Sequence, residues 1–433
     1  MDDATIARRS GDRAGSNRRS LTAPPRSVRP EAPSGEAATR SWTRHPGVVV
    51  ALFLAALSLR PQLVGTGPLV GSIEADLGLS HGAIGLLSTI PILCMGIFAP
   101  LAPIAATRLG SRAAIGASLA TIGAFGLVRS IVEPGWLVIL STIGIGIGMG
   151  TCGALLPLYV KERLGAHPLA GTIAYSGGLQ LGSAASAALA VPIAFEVGGW
   201  RGTLAIFSLI TIALVGVWFV LASRDVVAPT WRPVGLAWTE FGDLRGLALA
   251  LTFALFGTLY YGLIAWLPSA YAEIGWSTAS AGQLIAILNM AALVGAMTIG
   301  GVAGRILSYR VALTVLASAF ALATVGLVLA PAAALAWSLV AGYANGSLFP
   351  LILAQPLRLT RSAHRVAILT SLMLGGGYTL AAFGPLALGL VRDATGSFHA
   401  SLIALIFVAV LFVVSTAYVA RWPAATDLTM PGL

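Results

Sequence analysis

Twelve long apolar runs, a repeat that lays one half of the chain on the other, and charges confined to tails and loops predict an all-α integral membrane protein of 12 transmembrane helices in two six-helix pseudo-repeats. Hydrophobic residues make up 57% of the 433 and charged residues 10%. Soluble domains carry roughly half and a quarter, so the apolar excess here must face lipid. A spanning helix needs about 20 apolar residues. Such runs cover about 47–71, 82–105, 113–131, 136–160, 168–193, 201–222, 246–270, 281–303, 311–329, 335–357, 367–390 and 400–420. Barrel strands would alternate at period two over about ten residues, a pattern these runs lack, so they are read as helices.

The basic residues orient the chain. Nine of the 26 Lys and Arg precede Pro46, and with both termini cytoplasmic only Arg129, Arg201 and Arg392 fall in outer loops. The opposite topology inverts that count and violates the positive-inside rule. The net charge of +10 is therefore mainly topological, and without an aromatic-studded soluble domain around the basic residues no nucleic-acid partner is expected. A multi-pass plasma-membrane protein is expected. Residues 1–45, rich in Arg, Ser, Pro and Ala, have no apolar periodicity and are expected to be a disordered cytoplasmic tail. Cys94 and Cys152, the only cysteines, fall in mid-span and read as small packing residues.

The chain repeats at an offset of 197, where "ADLGLSHGAIGLL" (75–87) aligns with "AEIGWSTASAGQL" (272–284) and Arg108 falls on Arg305. This divides the chain into a first half at 46–222, a cytoplasmic linker at 223–245, a second half at 246–420 and a short tail at 421–433. Parallel repeats of this kind organise the major facilitator transporters, which bind substrate at the midplane between halves and expose it to each side in turn. Arg108 and Arg305, in matched cytoplasmic loops, are candidate gating residues, since they could bond helix C-termini of the opposite half.

Arg60, in "SLRPQLVGTGPLVG" (58–71), is the candidate central ligand. It lies roughly 15 Å or more from either end of its run, where a charge costs about 2.5 to 3.5 kcal/mol unless it faces a cavity or partner. Its repeat counterpart is Gly257, so the fold does not require the charge. The sixteen carboxylates fall in tails or loops, and Glu74, 14 residues away, is roughly 21 Å along a straight helix. A planar guanidinium without a counter-ion suits an oxyanion-like substrate. At similar depth lie Gln180, Tyr260, Tyr261, Asn289, Asn345 and Tyr378, with Trp266 about a turn and a half further out. Each alone is as well explained by helix packing; their shared depth makes them candidate substrate-binding residues beside Arg60.

Other chemistry is not supported. "GMGTCG" (148–153) fits a dinucleotide fingerprint but lies inside an apolar run with no preceding strand. The five histidines fall in loops or near helix ends, leaving no histidine-carboxylate pair within the spans for catalysis or metal binding. No enzyme activity, cofactor or metal is expected.

"LRPQLVGTGPLVGSIEADLGLS", "ALLPLYVKERL", "EVGGWRGTLAIF", "GLIAWLPSAYAEIGWS", "GSLFPLILAQPLRL" and "GPLALGLVRDATGSF" resemble the cyanate and 2-nitroimidazole transporter (CynX/NimT) branch of the major facilitator superfamily over about residues 47–420. Ser58 stands where that branch often has Asn, and "TRLGSR" (107–112) keeps the superfamily loop motif with Thr107 in place of the usual Asp. The resemblance implies a secondary transporter of small anions or nitro-substituted azoles. Residue chemistry alone points to a small, planar, acceptor-rich substrate. Importing a monoanion against an inside-negative potential costs about 2.3 kcal/mol per 100 mV. With no proton carrier inside the spans, export, exchange or facilitated diffusion is simpler than proton-driven import. A coupling proton, taken at peripheral Glu74 or Asp76, or an exchanged anion is the expected second species, and a monomer the expected form. The alternatives are a broader-specificity drug or metabolite exporter, and a transporter-fold receptor or sensor that binds without turnover.

Overall fold

In the computed structural model of the chain, residues 46–164, 168–222, 243–302 and 306–424 are described. Twelve helices long and apolar enough to cross a membrane lie among them. They are α1 (Pro46–Leu77), α2 (His81–Leu109), α3 (Ser111–Ile131), α4 (Gly135–Arg163), α5 (Gly171–Glu196) and α6 (Trp200–Leu221), followed by α7 (Leu244–Glu273), α8 (Thr278–Gly301), α9 (Tyr309–Leu329), α10 (Pro331–Leu353), α11 (His364–Thr395) and α12 (Phe398–Ala420). The expected tail at 1–45, the linker apart from its last residues, most of the tail at 421–433 and Arg305 lie outside the described residues.

Several helices outrun their apolar runs by about a turn at the C-terminal end, where a left-handed glycine rather than hydropathy stops the helix, Gly78 after α1 and Gly396 after α11. Helix N-termini set by polar caps keep close to the runs. Ser80 and Ser308 each accept a bond from a first-turn N–H, Ala83 for α2 and Val311 for α9. The repeat is visible in the turns. Gly78 (φ 61°) and Gly275 (φ 95°), 197 residues apart, both adopt the left-handed conformation that closes the first helix of each half. Asp76 and Glu273, also matched, each tie down the last helix of their own half. Asp76 accepts from Trp200 Nε1 and Arg201 Nε, both at 3.1 Å, and Glu273 accepts from the Phe398 N–H at 2.9 Å.

The halves meet through α2 against α11 and α5 against α8, with a 3₁₀ turn of α1 (Gly67–Leu69) seated on α7. Under the 197 offset the first two contacts exchange places, as a pseudo-two-fold requires. The face carrying Pro46 and Ala420 is called the terminal face below, and the opposite one the far face.

Candidate functional site

The site begins with a break in α1. Its first helical stretch ends at Leu57 and a new one starts at Pro61, with Ser58, Leu59 and Arg60 as the turn between them. Proline has no N–H to donate, so it occupies the first helical position without loss. Arg60 precedes it, and its carbonyl accepts from Leu63 N at 3.0 Å and Val64 N at 2.9 Å. The prolines do interrupt the helix, but the Arg60 side chain is not spent on freed carbonyls. Among the described residues its one hydrogen bond is a long donation from Nη1 to the Tyr261 hydroxyl at 3.4 Å, and its Nε is buried without a partner.

A second arginine supports the break. Counting along the chain places Arg129 in an outer loop, yet it is completely buried. Side chains on a helix lean toward its N-terminus, so from the last turn of α3 Arg129 points back into the bundle. Its Nη2 donates to the Gln62 carbonyl at 2.9 Å and to Gln62 Oε1 at 2.6 Å. Gln62 Nε2 in turn donates to Leu204 O at 3.1 Å and Ser208 Oγ at 2.7 Å on α6. Arg60 is therefore not the single charge inside the bundle among the described residues; of the two arginines, Arg60 lines the cavity and Arg129 does not. Gln62→Ala leaves the Arg129 guanidinium short of an acceptor. It is expected to lower stability by about 2 to 3 kcal/mol, read as a lower unfolding temperature in detergent, with Gln62→Glu much milder.

Between the halves lies a cavity of about 700 Å³. Six of the eight candidate binding residues line it: Arg60 from α1, Gln180 from α5, Tyr260 and Tyr261 from α7, Asn345 from α10 and Tyr378 from α11. Gly257, the repeat counterpart of Arg60, lines it too. Phe253, Phe256 and Phe349 form an aromatic wall, with the Phe256 and Phe349 rings at 28° and 6.4 Å. Phe253 meets the edge of Tyr378 at 4.9 Å. Asn345 Oδ1 is buried without a partner, so both halves present an unsatisfied polar atom.

Two candidates lie elsewhere. Asn289 is fully buried behind the wall, accepting from the Tyr260 hydroxyl at 2.8 Å, and so orients that ring. Trp266 donates from Nε1 to Pro385 O at 2.8 Å and stacks near Phe398 on the far face, joining α7 to α11 and α12. Position along a helix does not reveal the direction of the side chain, and for these two it points away from the cavity.

The cavity opens on the terminal face, since its lining reaches Thr172, Gly301 and Leu357 at that end. On the far face it is shut. A Cβ added at Gly85 of α2 would lie 2.9 Å from Pro385 O and 3.0 Å from Leu386 Cα of α11. Of the two candidate gating residues, Arg108 is exposed on the terminal face. The neighbouring loop is tied within its own half, by Ser111 Oγ donating to Glu162 Oε1 at 2.9 Å and Arg112 Nη2 donating to the Phe219 carbonyl.

Two packed six-helix halves around one central cavity define a membrane transporter of small molecules. The model of the Major Facilitator Superfamily matches residues 48–385, and the chain belongs to that family. Among curated relatives, the 2-nitroimidazole transporter of Escherichia coli (strain K12) is 29% identical over 377 residues, 85% of this chain and 93% of the relative. The cyanate transport protein CynX of the same organism is 27% identical over 356 residues, 81% and 91% of the two chains. The resemblance read from the motifs thus extends over most of the chain. Solved structures with this fold include a bacterial homologue of the human lysosomal transporter Spinster, with a TM-score of 0.70 and 16% identity over 90% of this chain and 98% of that one. The nucleoside transporter NupG gives 0.69 and 14%, over 87% and 99%.

Proposed function

We propose that this transporter carries a small, planar, acceptor-rich compound across the plasma membrane by alternating access, with Arg60 as the central ligand. The observation that carries the reading is the state of the Arg60 guanidinium. It faces a membrane-embedded cavity with one long hydrogen bond and a buried, partnerless Nε, opposite an unpartnered Asn345 oxygen. A charge held so deep and so poorly satisfied is explained by a ligand that completes it.

The relatives' substrates fit this chemistry at two sizes. Cyanate offers a linear anion, whereas a 2-nitroimidazole offers two nitro oxygens to a guanidinium fork and a flat ring to tyrosine and phenylalanine faces. The aromatic wall and the 700 Å³ volume favour the heteroaromatic end of the class. Tyr261 shares the guanidinium, Tyr378 and Tyr260 supply ring faces, and Gln180 and Asn345 supply hydrogen bonds; Asn289 acts through Tyr260. Asn345→Leu is expected to weaken substrate binding about five- to tenfold, measured by equilibrium binding to the purified protein.

The basic residues support cytoplasmic termini, so the cavity faces the cytoplasm. A single chain supplies both halves of its wall, which supports a monomer. Arg108 and Arg305 are proposed to close the terminal face in the opposite conformer. Replacing each with Gln is expected to slow flux more than it lowers insertion.

The volume also suits a broader-specificity exporter. That reading predicts competition by bulky apolar compounds and tolerance of Arg60 substitution. A flux screen in proteoliposomes with 2-nitroimidazole, cyanate and small carboxylates tests the proposal. Accelerated, saturable flux of a planar compound that bulky apolar competitors leave untouched supports it. Ligand binding without flux would instead indicate a receptor.

A further inference from the structure

The five histidines looked uninformative in the sequence, and the structure corrects this for His81. It stands at the start of α2 on the far face with a carboxylate oxygen against each ring nitrogen. Glu74 Oε1 of α1 lies 3.1 Å from Nε2, and Asp393 Oδ1 of α11 lies 2.8 Å from Nδ1. Asp393 also accepts from the backbone N–H groups of His81 at 3.0 Å and Gly82 at 2.8 Å. It therefore caps the N-terminus of α2 from the opposite half, where a helix dipole favours an anion. Glu74 and His81 belong to the first half and Asp393 to the second, so this cluster crosses the line along which the far face must open.

A neutral imidazole donates from one nitrogen and presents a lone pair at the other. Set between two ionised carboxylates, it would point that lone pair at a negative oxygen. The Asp393 contact is a hydrogen bond, whereas Glu74 Oε1 has no hydrogen-bond partner and its 3.1 Å approach to Nε2 is favourable only as an ion pair, when the cluster holds one further proton. We propose that His81, Glu74 and Asp393 form a proton-binding latch on the far face: the proton is bound tightly while the face is shut and released when the halves part. On opening, Asp393 leaves with α11 and His81 keeps Glu74 alone, so the proton loses its hydrogen-bonded carboxylate and one of its two anionic neighbours. By linkage, acid on the far face favours the shut, terminal-open conformer, and alkali favours opening.

The neighbours leave this sign intact. On α11, Arg392 pairs with Glu273 of α7 at 3.8 Å and lies over the Phe398 ring of α12 at 5.1 Å. On α1, Asp76 is engaged by Arg201 at 3.1 Å. The remaining faces of the imidazole meet Trp266 of α7 at 6.0 Å and Phe398 of α12 at 5.3 Å. The latch also supplies the proton site that the spans lacked in the sequence, and peripheral Glu74 is part of it, while Asp76 is bound within its own half.

This inference rests on the alternating-access part of the proposed function, not on its substrate. Its test therefore omits substrate. Ser88, buried one turn inside the Gly85 contact on α2, is replaced by cysteine, a near-isosteric reporter of far-face opening. Maleimide labelling of Ser88→Cys is timed in purified protein from pH 5 to 9, each rate divided by that of the same cysteine after unfolding at that pH. The expected result is labelling several-fold faster at the alkaline end, with the dependence abolished by adding His81→Gln. Should that variant fold poorly, Glu74→Gln, which leaves the Asp393 cap intact, is expected to move the midpoint toward acid. A flat profile in the parent, or an unchanged profile in a folded His81→Gln or Glu74→Gln protein, overturns the latch. Failure of the Arg60 reading would leave these rates untouched.

Discussion

Arg60→Gln is expected to weaken binding of an anionic substrate roughly ten- to a hundredfold, the loss of a charge-assisted hydrogen bond in a site of low dielectric. A neutral nitro compound, which asks only for a donor, is expected to lose roughly five- to tenfold. Arg60→Lys keeps the charge without the planar fork and falls between these values for the anion. Equilibrium binding with each compound reads all three, and the thermal midpoint in detergent separates them from a folding defect. The guanidinium faces the cavity and makes one long bond to Tyr261, so its removal forfeits little and the folded protein is expected to be about as stable. A clear fall in the midpoint of Arg60→Gln with unchanged affinity would make the residue structural.

Gly85→Leu is expected to abolish most transport while leaving the substrate site intact. A side chain there meets the α11 backbone at Pro385 and Leu386, atoms that cannot rotate aside. Overpacking of this kind costs about 1 to 3 kcal/mol, which moves the balance between shut and open far faces about five- to 150-fold. Flux in proteoliposomes should fall by a similar factor, Ser88→Cys should label rapidly, and substrate should still bind the detergent-solubilised protein. Flux near that of the parent would show that the α2–α11 contact does not have to close in the cycle.

The spans were legible because lipid demands apolar length, and the two halves because Gly78 and Gly275, with Asp76 and Glu273, preserve the same turn and the same anchor 197 residues apart. The site was legible as depth. Arg60, Gln180, Tyr260, Tyr261, Asn345 and Tyr378 reach one cavity because polar groups at mid-span seek a wet surface. Asn289 and Trp266 share that chemistry but point behind the wall and toward the far face, since rotation of a helix about its own axis is decided by its neighbours. Gln62 was the overlooked signal: two residues beyond Arg60 it faces the other side of α1, where a buried amide called for the buried Arg129. The His81 latch was hidden for another reason. Asp393 comes from 312 residues away and the repeat places Thr278 opposite His81, so no local pattern announced the pair.

The central claim, that substrate occupies the Arg60 cavity, is tested most directly by ligand protection of Ser176→Cys. Ser176 lines the cavity one turn from Gln180, and the native Cys94 and Cys152 are buried. Maleimide labelling of the purified variant at fixed pH is expected to slow in proportion to occupancy as 2-nitroimidazole is added, and to lose that protection in the Arg60→Gln background. Labelling that stays unchanged at concentrations saturating flux would place the substrate elsewhere and contradict the account.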